Sequence, residues 1–201
     1  MNYTRETNES AWIQLYTGQP FWPLDPRPEE IDILDIAHAL SMQCRYSGHV
    51  NSFYSVAEHS VHISRAVSPE FALWGLLHDA SEAYLVDIPK PLKPLLPQYK
   101  AAERSVMACI ALHFGLDPVE PPEVKEMDFR ILFNEREALL NRSAKEWGIV
   151  GEPIPNLKIR AWNPDAAEHL FLARFTELTG INPMREIAIS PRYEKVKGAS
   201  L

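Results

Sequence analysis

A chain of 201 residues with 20 basic and 27 acidic side chains carries a net charge of −7, which excludes a broad basic face for gripping duplex DNA. Its 46% apolar content supplies one full-sized core, so neither a disordered chain nor a coiled coil fits. Eight glycines against 17 prolines favour helices with stiff connections, and two cysteines, Cys44 and Cys109, are too few for a disulfide framework or a cysteine zinc site.

Residues 1–27 hold Trp12, Tyr16, Phe21 and Trp22 without a period, and read as an ordered N-terminal arm packed on the domain. The domain itself is expected over 28–180, with a C-terminal extension over 181–201. The first helix starts near Pro28-Glu29-Glu30, where a proline and two acids suit a helix N-terminus, and runs to about Met42 on Ile33, Ile36, Ala37 and Leu40. Residues 43–54 show no period and read as a loop. Ser55 and Glu58 form a capping-box pattern ahead of a helix to about Val67. Ser68-Pro69-Glu70 opens a helix that is apolar nearly all round and ends near Val86, so it is expected to be central and buried.

Ile88 to Pro94 carries three prolines and must be a rigid extended segment. Helical patterns follow over about 98–114, stopped by Gly115, then 122–146, then 164–179, stopped by Gly180. Residues 147–163 read as a long surface connection. The N-terminus lacks an apolar signal stretch and no long uncharged apolar run follows, so a cytoplasmic protein with no membrane segment is expected. The fold class is all-α: one compact helical bundle.

His78 and Asp79 stand in the most apolar helix, where a carboxylate needs partners because an unpaired buried charge is costly. Glu82 lies one turn further on much the same face, and Asp87, Lys90 and Lys93 follow. Acids and a histidine beside two lysines suit a site for a metal and a phosphate. Further ligands must come from other helices. Glu58, His59 and His62 on the earlier helix and Asp128 on a later one are the candidates, although Asp128 alone would read as a solvated acid.

Four segments carry a resemblance: Val56-Ala57-Glu58-His59-Ser60, Leu77-His78-Asp79-Ala80-Ser81-Glu82, Asp87-Ile88-Pro89-Lys90-Pro91-Leu92-Lys93, and Asp128. The sequence resembles the HD-domain metal-dependent phosphohydrolases, in particular the branch with bacterial 5′-deoxynucleotidases and phage dATP triphosphohydrolases. The resemblance spans 45 to about 137. It implies that His59, His78, Asp79 and Asp128 ligate one divalent metal (Zn, Mn, Co, Fe or Mg), with His62 outside the ligand set and His49 unassigned. Glu82 and Asp87 resemble the catalytic acids, their division of labour open; Asp87 could instead cap the next turn. Lys93 resembles a phosphate clamp, as does Lys90 unless it is simply solvated. Arg45 and Tyr46 resemble an Arg-aromatic pair that holds phosphate and packs against sugar or base, with tyrosine where some relatives have tryptophan.

The function so implied is hydrolysis of a small deoxynucleotide, first a dNTP such as dATP, cut beside the sugar to deoxynucleoside and triphosphate. A 5′-deoxynucleotidase acting on monophosphates is the alternative on the same site. A non-catalytic nucleotide-binding module is the third reading, disfavoured because the acids and ligands are all present. Glu58-His59-Ser60-Val61-His62 is not the His-Glu-x-x-His of a metalloprotease, and no basic track exists for a nucleic-acid backbone. A homo-oligomer is expected by resemblance, with Trp12, Trp22 and Trp162 either lining its interface or completing the core.

Overall fold

The structure, a computed structural model, describes residues 4–183 and 185. The fold is all-α apart from a two-residue antiparallel ribbon, β1 (Ile13–Gln14) with β2 (Pro20–Phe21), in the N-terminal arm. That arm is ordered and docked: Phe21 and Leu15 enter the main core, and Arg5 reaches the Glu30 carboxylate. Trp12 and Trp22 lie near each other on the arm, their ring centroids 6.5 Å apart, and Trp12 remains 46% exposed. Trp162, in contrast, packs against the core. Most of 181–201 lies outside the described residues.

The expected first helix is two elements. A 3-10 turn at Pro28–Glu30 precedes α1 (Ile33–Met42), which starts where the Asp32 side chain accepts from the amide of Leu34 at 2.9 Å. α2 (Val56–Ala66) starts at Ser55, whose hydroxyl accepts from the Glu58 amide at 3.0 Å. Only that half of the expected capping box forms. The Glu58 side chain turns away and accepts from the amides of Arg160, Ala161 and Trp162 at 2.8, 3.0 and 2.6 Å. This carboxylate ties α2 to the lead-in of the last helix, because three inward-pointing amides form a ready anion seat.

α2 is the central helix, buried from Val56 to Ser64 and packed on α1, on α3 (Ala72–Leu77), on α6 (Pro122–Leu139) and on α7 (Pro164–Thr179). Its histidines, serines and glutamate disguise that position in a hydropathy reading. α3 approaches α2 closely at Gly75: a Cβ there would stand 3.1 Å from the Ser64 Cα and 3.2 Å from its amide nitrogen. Arg174 of α7 clamps the same spot, donating to the Ser64 hydroxyl and carbonyl at 3.0 Å each.

The expected helix over 68–86 is broken. After α3 the chain passes through 78–81 before α4 (Glu82–Leu85), with i→i+3 bonds such as Ala80 N–H to Leu77 O and Glu82 N–H to Asp79 O, both 2.9 Å. Three residues per turn eclipses side chains three apart, so Asp79 and Glu82 stand in register. α5 (Pro97–Phe114) and α7 end as expected at left-handed Gly115 and Gly180. α6 stops at Leu139, seven residues before the expected end, and the connection to α7 begins there.

Candidate metal centre and its cleft

Close packing of α2 on α3 brings His59 and His78 face to face, and α6 adds Asp128. The three donor atoms lie within 4.8 Å of one another and could hold a metal ion. The two Nε2 atoms are 3.2 Å apart, and the Asp128 Oδ1 lies 3.1 Å from that of His59 and 3.9 Å from that of His78. Asp79 Oδ2 borders the group, 3.3 Å from His78 Nε2 and 3.6 Å from His59 Nε2. Metal bonds of about 2.0–2.2 Å place neighbouring donor atoms roughly 3.0–3.5 Å apart, so these spacings suit one ion.

The other ring nitrogens decide what the Nε2 atoms can do. His78 Nδ1 lies 2.9 Å from the carbonyl oxygen of Gly75, which only accepts, so Nδ1 carries a proton. His59 Nδ1 lies 2.7 Å from Glu135 Oε1. Burial would raise the Glu135 carboxyl, but Arg45, His59 and Tyr46 outweigh it and hold it down to about 2, so it too accepts. Both Nε2 atoms therefore offer lone pairs to the same point, an arrangement that requires a cation or a proton between them. Burial opposes a charge on His78, yet Asp79 and Asp128 raise its pKa to about 9, so a proton fills that role when no metal does. Asp79 and Asp128, despite burial, are held below the usual carboxylate range by these histidines.

Arg45 links the group to its surroundings, with Nη1 3.3 Å from Asp79 and Nη2 3.4 Å from Glu135. Burial disfavours its charge, but the two acids more than restore it. The Tyr46 hydroxyl donates to Glu135 as well. Tyr46 and Ser47 adopt left-handed backbone at φ 56° and 52°, so the chain stores strain where it turns past the metal group.

Beside them opens a cleft of 1210 Å³, whose lining includes Arg45, Tyr46, His49, Glu82, Asp87 and Lys90. Glu82 is half-buried; burial and the charges of Asp79 and Asp87 raise its carboxyl to about 9. Lys93 is not in that lining. Its ammonium sits 2.7 Å from Asp87 and 3.0 Å from Glu103, held there by the turn that the prolines impose. His62 faces Glu58 at 3.3 Å and lies against the Trp162 ring, apart from the metal group.

Sequence reading missed Glu135. Its signal was an acid on the buried stripe of α6, following Val124, Met127 and Ile131, two turns beyond Asp128. It missed Trp147 on the cleft wall too, because an aromatic in a connection has no periodicity to mark it.

Among the described residues no helix is long and apolar enough to cross a membrane. No protein-family model matches the sequence. Two relatives do match along most of their length. Uncharacterized protein RCAP_rcc00048 of Rhodobacter capsulatus is 32% identical over 183 residues, covering 82% of this chain and 93% of that one. Uncharacterized protein YfdR of Escherichia coli is 40% identical over 172 residues, covering 84% of this chain and 96% of its own. At that identity and coverage, the chain belongs to the family of YfdR.

Proposed function

We propose that this protein is a metal-dependent phosphohydrolase of deoxynucleotides, cutting between the sugar 5′ oxygen and the adjacent phosphorus. The observation that carries the reading is the convergence of His59, His78 and Asp128 next to a cleft lined by two acids and two cations. Asp79 completes the ligand set as a fourth donor. A divalent ion held there lowers the pKa of water and polarises a phosphoryl oxygen. The resemblance to HD-domain phosphohydrolases supports the same chemistry.

The chain's own residues divide the remaining work. Water attacks phosphorus as the bond to the 5′ oxygen breaks, and that oxygen leaves poorly unless it gains a proton. Glu82, kept protonated by burial and by its acidic neighbours, is the donor. Asp87, on the same cleft lining, takes up the proton of the attacking water. Arg45 and Lys90 hold the phosphate. Lys93 positions Asp87 through their ion pair and is not itself a clamp.

The first substrate reading is dATP, giving deoxyadenosine and triphosphate. A specific observation favours the second, a deoxynucleoside monophosphate: Arg45 is matched by Asp79 and Glu135, which leaves Lys90 as the one lysine or arginine of the described cleft lining without a carboxylate partner. That supply suits one phosphate better than three.

Product identification tests both readings. The purified protein with Mn²⁺, Co²⁺ or Zn²⁺ is given dATP and dAMP separately, and products are resolved by ion exchange. Intact triphosphate from dATP supports the first reading, and phosphate from dAMP alone supports the second. No product from either, with metal bound, overturns the hydrolase.

A further inference from the structure

The cleft divides by chemistry. Arg45, Glu82, Asp87 and Lys90 supply its charged side, next to Asp79. From 129–149 its lining takes only uncharged side chains, among them Phe129, Leu132, Asn141 and Trp147. The side-chain amides of Asn51 and Asn141, both on this lining, make no hydrogen bond within the described protein. Both residues are exposed, so their amides are free to exchange water for a neutral ligand edge that both donates and accepts.

Trp147 is a cleft-lining aromatic that core packing does not explain. It is half-buried on an irregular connection and belongs to neither apolar core cluster. Arg136 lies over its indole, 5.5 Å from the ring centroid, and that guanidinium also covers Phe133 at 5.3 Å. Its other aromatic neighbour is Tyr46, at 6.4 Å and 50° between planes, which makes an open wedge and not a stack. The Tyr46 hydroxyl is fixed to Glu135, and Glu135 to His59. A fixed chain of contacts thus sets the wedge at one ring's remove from the metal group.

We propose that Trp147 is the base-stacking, specificity-determining residue: the substrate's nucleobase lies on its indole in the wedge with Tyr46, while the phosphate faces the metal group. The inference rests on the phosphohydrolase reading for the phosphate end alone. An anionic head joined to a flat, neutral, hydrogen-bonding body is the ligand that a cleft divided this way takes.

The test separates base from phosphate, using two probes with Mn²⁺ present. Deoxyadenosine carries the base without phosphate and is inert as the product of both candidate reactions. Deoxyribose 5-phosphate carries the phosphate without a base. Binding is followed by calorimetry in the parent, W147A and W147F proteins, with tryptophan fluorescence as a second readout. W147A should weaken deoxyadenosine roughly 5- to 150-fold, the range of base–aromatic stacking, and leave deoxyribose 5-phosphate unchanged. W147F should restore most of the affinity, and it should remove the fluorescence quenching that deoxyadenosine produces in the parent. Equal weakening of both probes by W147A, unaltered deoxyadenosine binding, or no deoxyadenosine binding by the parent would overturn the proposal. Failure of the hydrolase reading shows separately, as absent product from dATP and dAMP while deoxyadenosine still binds through Trp147.

Discussion

Glu135 makes no direct approach to the open cleft, yet it bears on two residues that line it, Arg45 and Tyr46, and on the buried His59. It fixes the tautomer of His59, balances Arg45 and anchors the Tyr46 hydroxyl. An isosteric Glu135→Gln change keeps the shape but removes the charge that makes the His59 imidazole a strong donor. Metal affinity should fall about 10- to 100-fold, measured by competition with a chelating dye. Unchanged affinity would mean that His59 does not ligate. The histidines were legible as chemistry-bearing residues because polar groups interrupt apolar helical patterns, whereas Asp128 stood out only through the resemblance. Glu135 was equally visible in principle, but a single acid among Asn134, Arg136 and Glu137 looks like a solvated helix end until its stripe is counted.

At the level of elements, spacing alone located α2, α5, α7 and the end of α1 well, because a cap, a proline or a glycine marks most of those ends, whereas the proline and acids at 28–30 open a 3-10 turn and not α1 itself. The break at 78–81 was not legible. Apolar periodicity runs straight through it, and only the i→i+3 bonds reveal the change of pitch. The Glu58 seat was misread for a related reason: Ser55 and Glu58 have the spacing of a local cap, but the stronger partners were three amides a hundred residues away. The packing of α2 on α3 gives a sharp prediction. Gly75→Ala puts a methyl against Ser64 backbone that Arg174 holds in place, so the helices must separate. Overpacking of this kind costs about 1–3 kcal/mol, read from urea unfolding. Gly75 also supplies the carbonyl that orients His78. Metal binding should therefore weaken along with stability, whereas a purely structural glycine would leave affinity intact.

For the whole molecule, a metal bound as proposed would compete with a proton for one place between α2 and α3, and stability should report the competition. In the metal-free protein the His78 pKa is raised from 6.5 to about 9, so its contribution is complete below about 6.5 and is lost as pH rises through 9. Glu82, raised to about 9 from 4.5, acts in the same direction, because the unfolded chain releases that proton long before the folded one. Thermal scans in EDTA should show Tm falling between pH 6.5 and 9. With Mn²⁺ the trend is opposed, since an ion displacing one proton gains about tenfold in affinity per pH unit over that range. The gap between the two curves should widen with pH, reaching about 2.7 kcal/mol where the ion is at a hundred times its Kd. A gap that stays constant would show that His78 gives up no proton to the ion.

The segment between α6 and α7 is moored along its second half: Arg130 donates to the carbonyls of Glu152 and Pro153, Ile154 pairs with Asn134, and residues 160–162 sit on Glu58. Ahead of these moorings, Asn141, Ser143, Trp147 and Ile149 line the cleft, and this stretch meets α6 mainly through side chains, Trp147 beside Arg136 and Gly151 close against Phe129 and Phe133. The residues that could hold a metal and this wall of the cleft thus come from separate stretches of sequence. Lengthening or exchanging that stretch of the connection would alter the wall of the cleft while the helices carrying His59, His78 and Asp128 stay as they are.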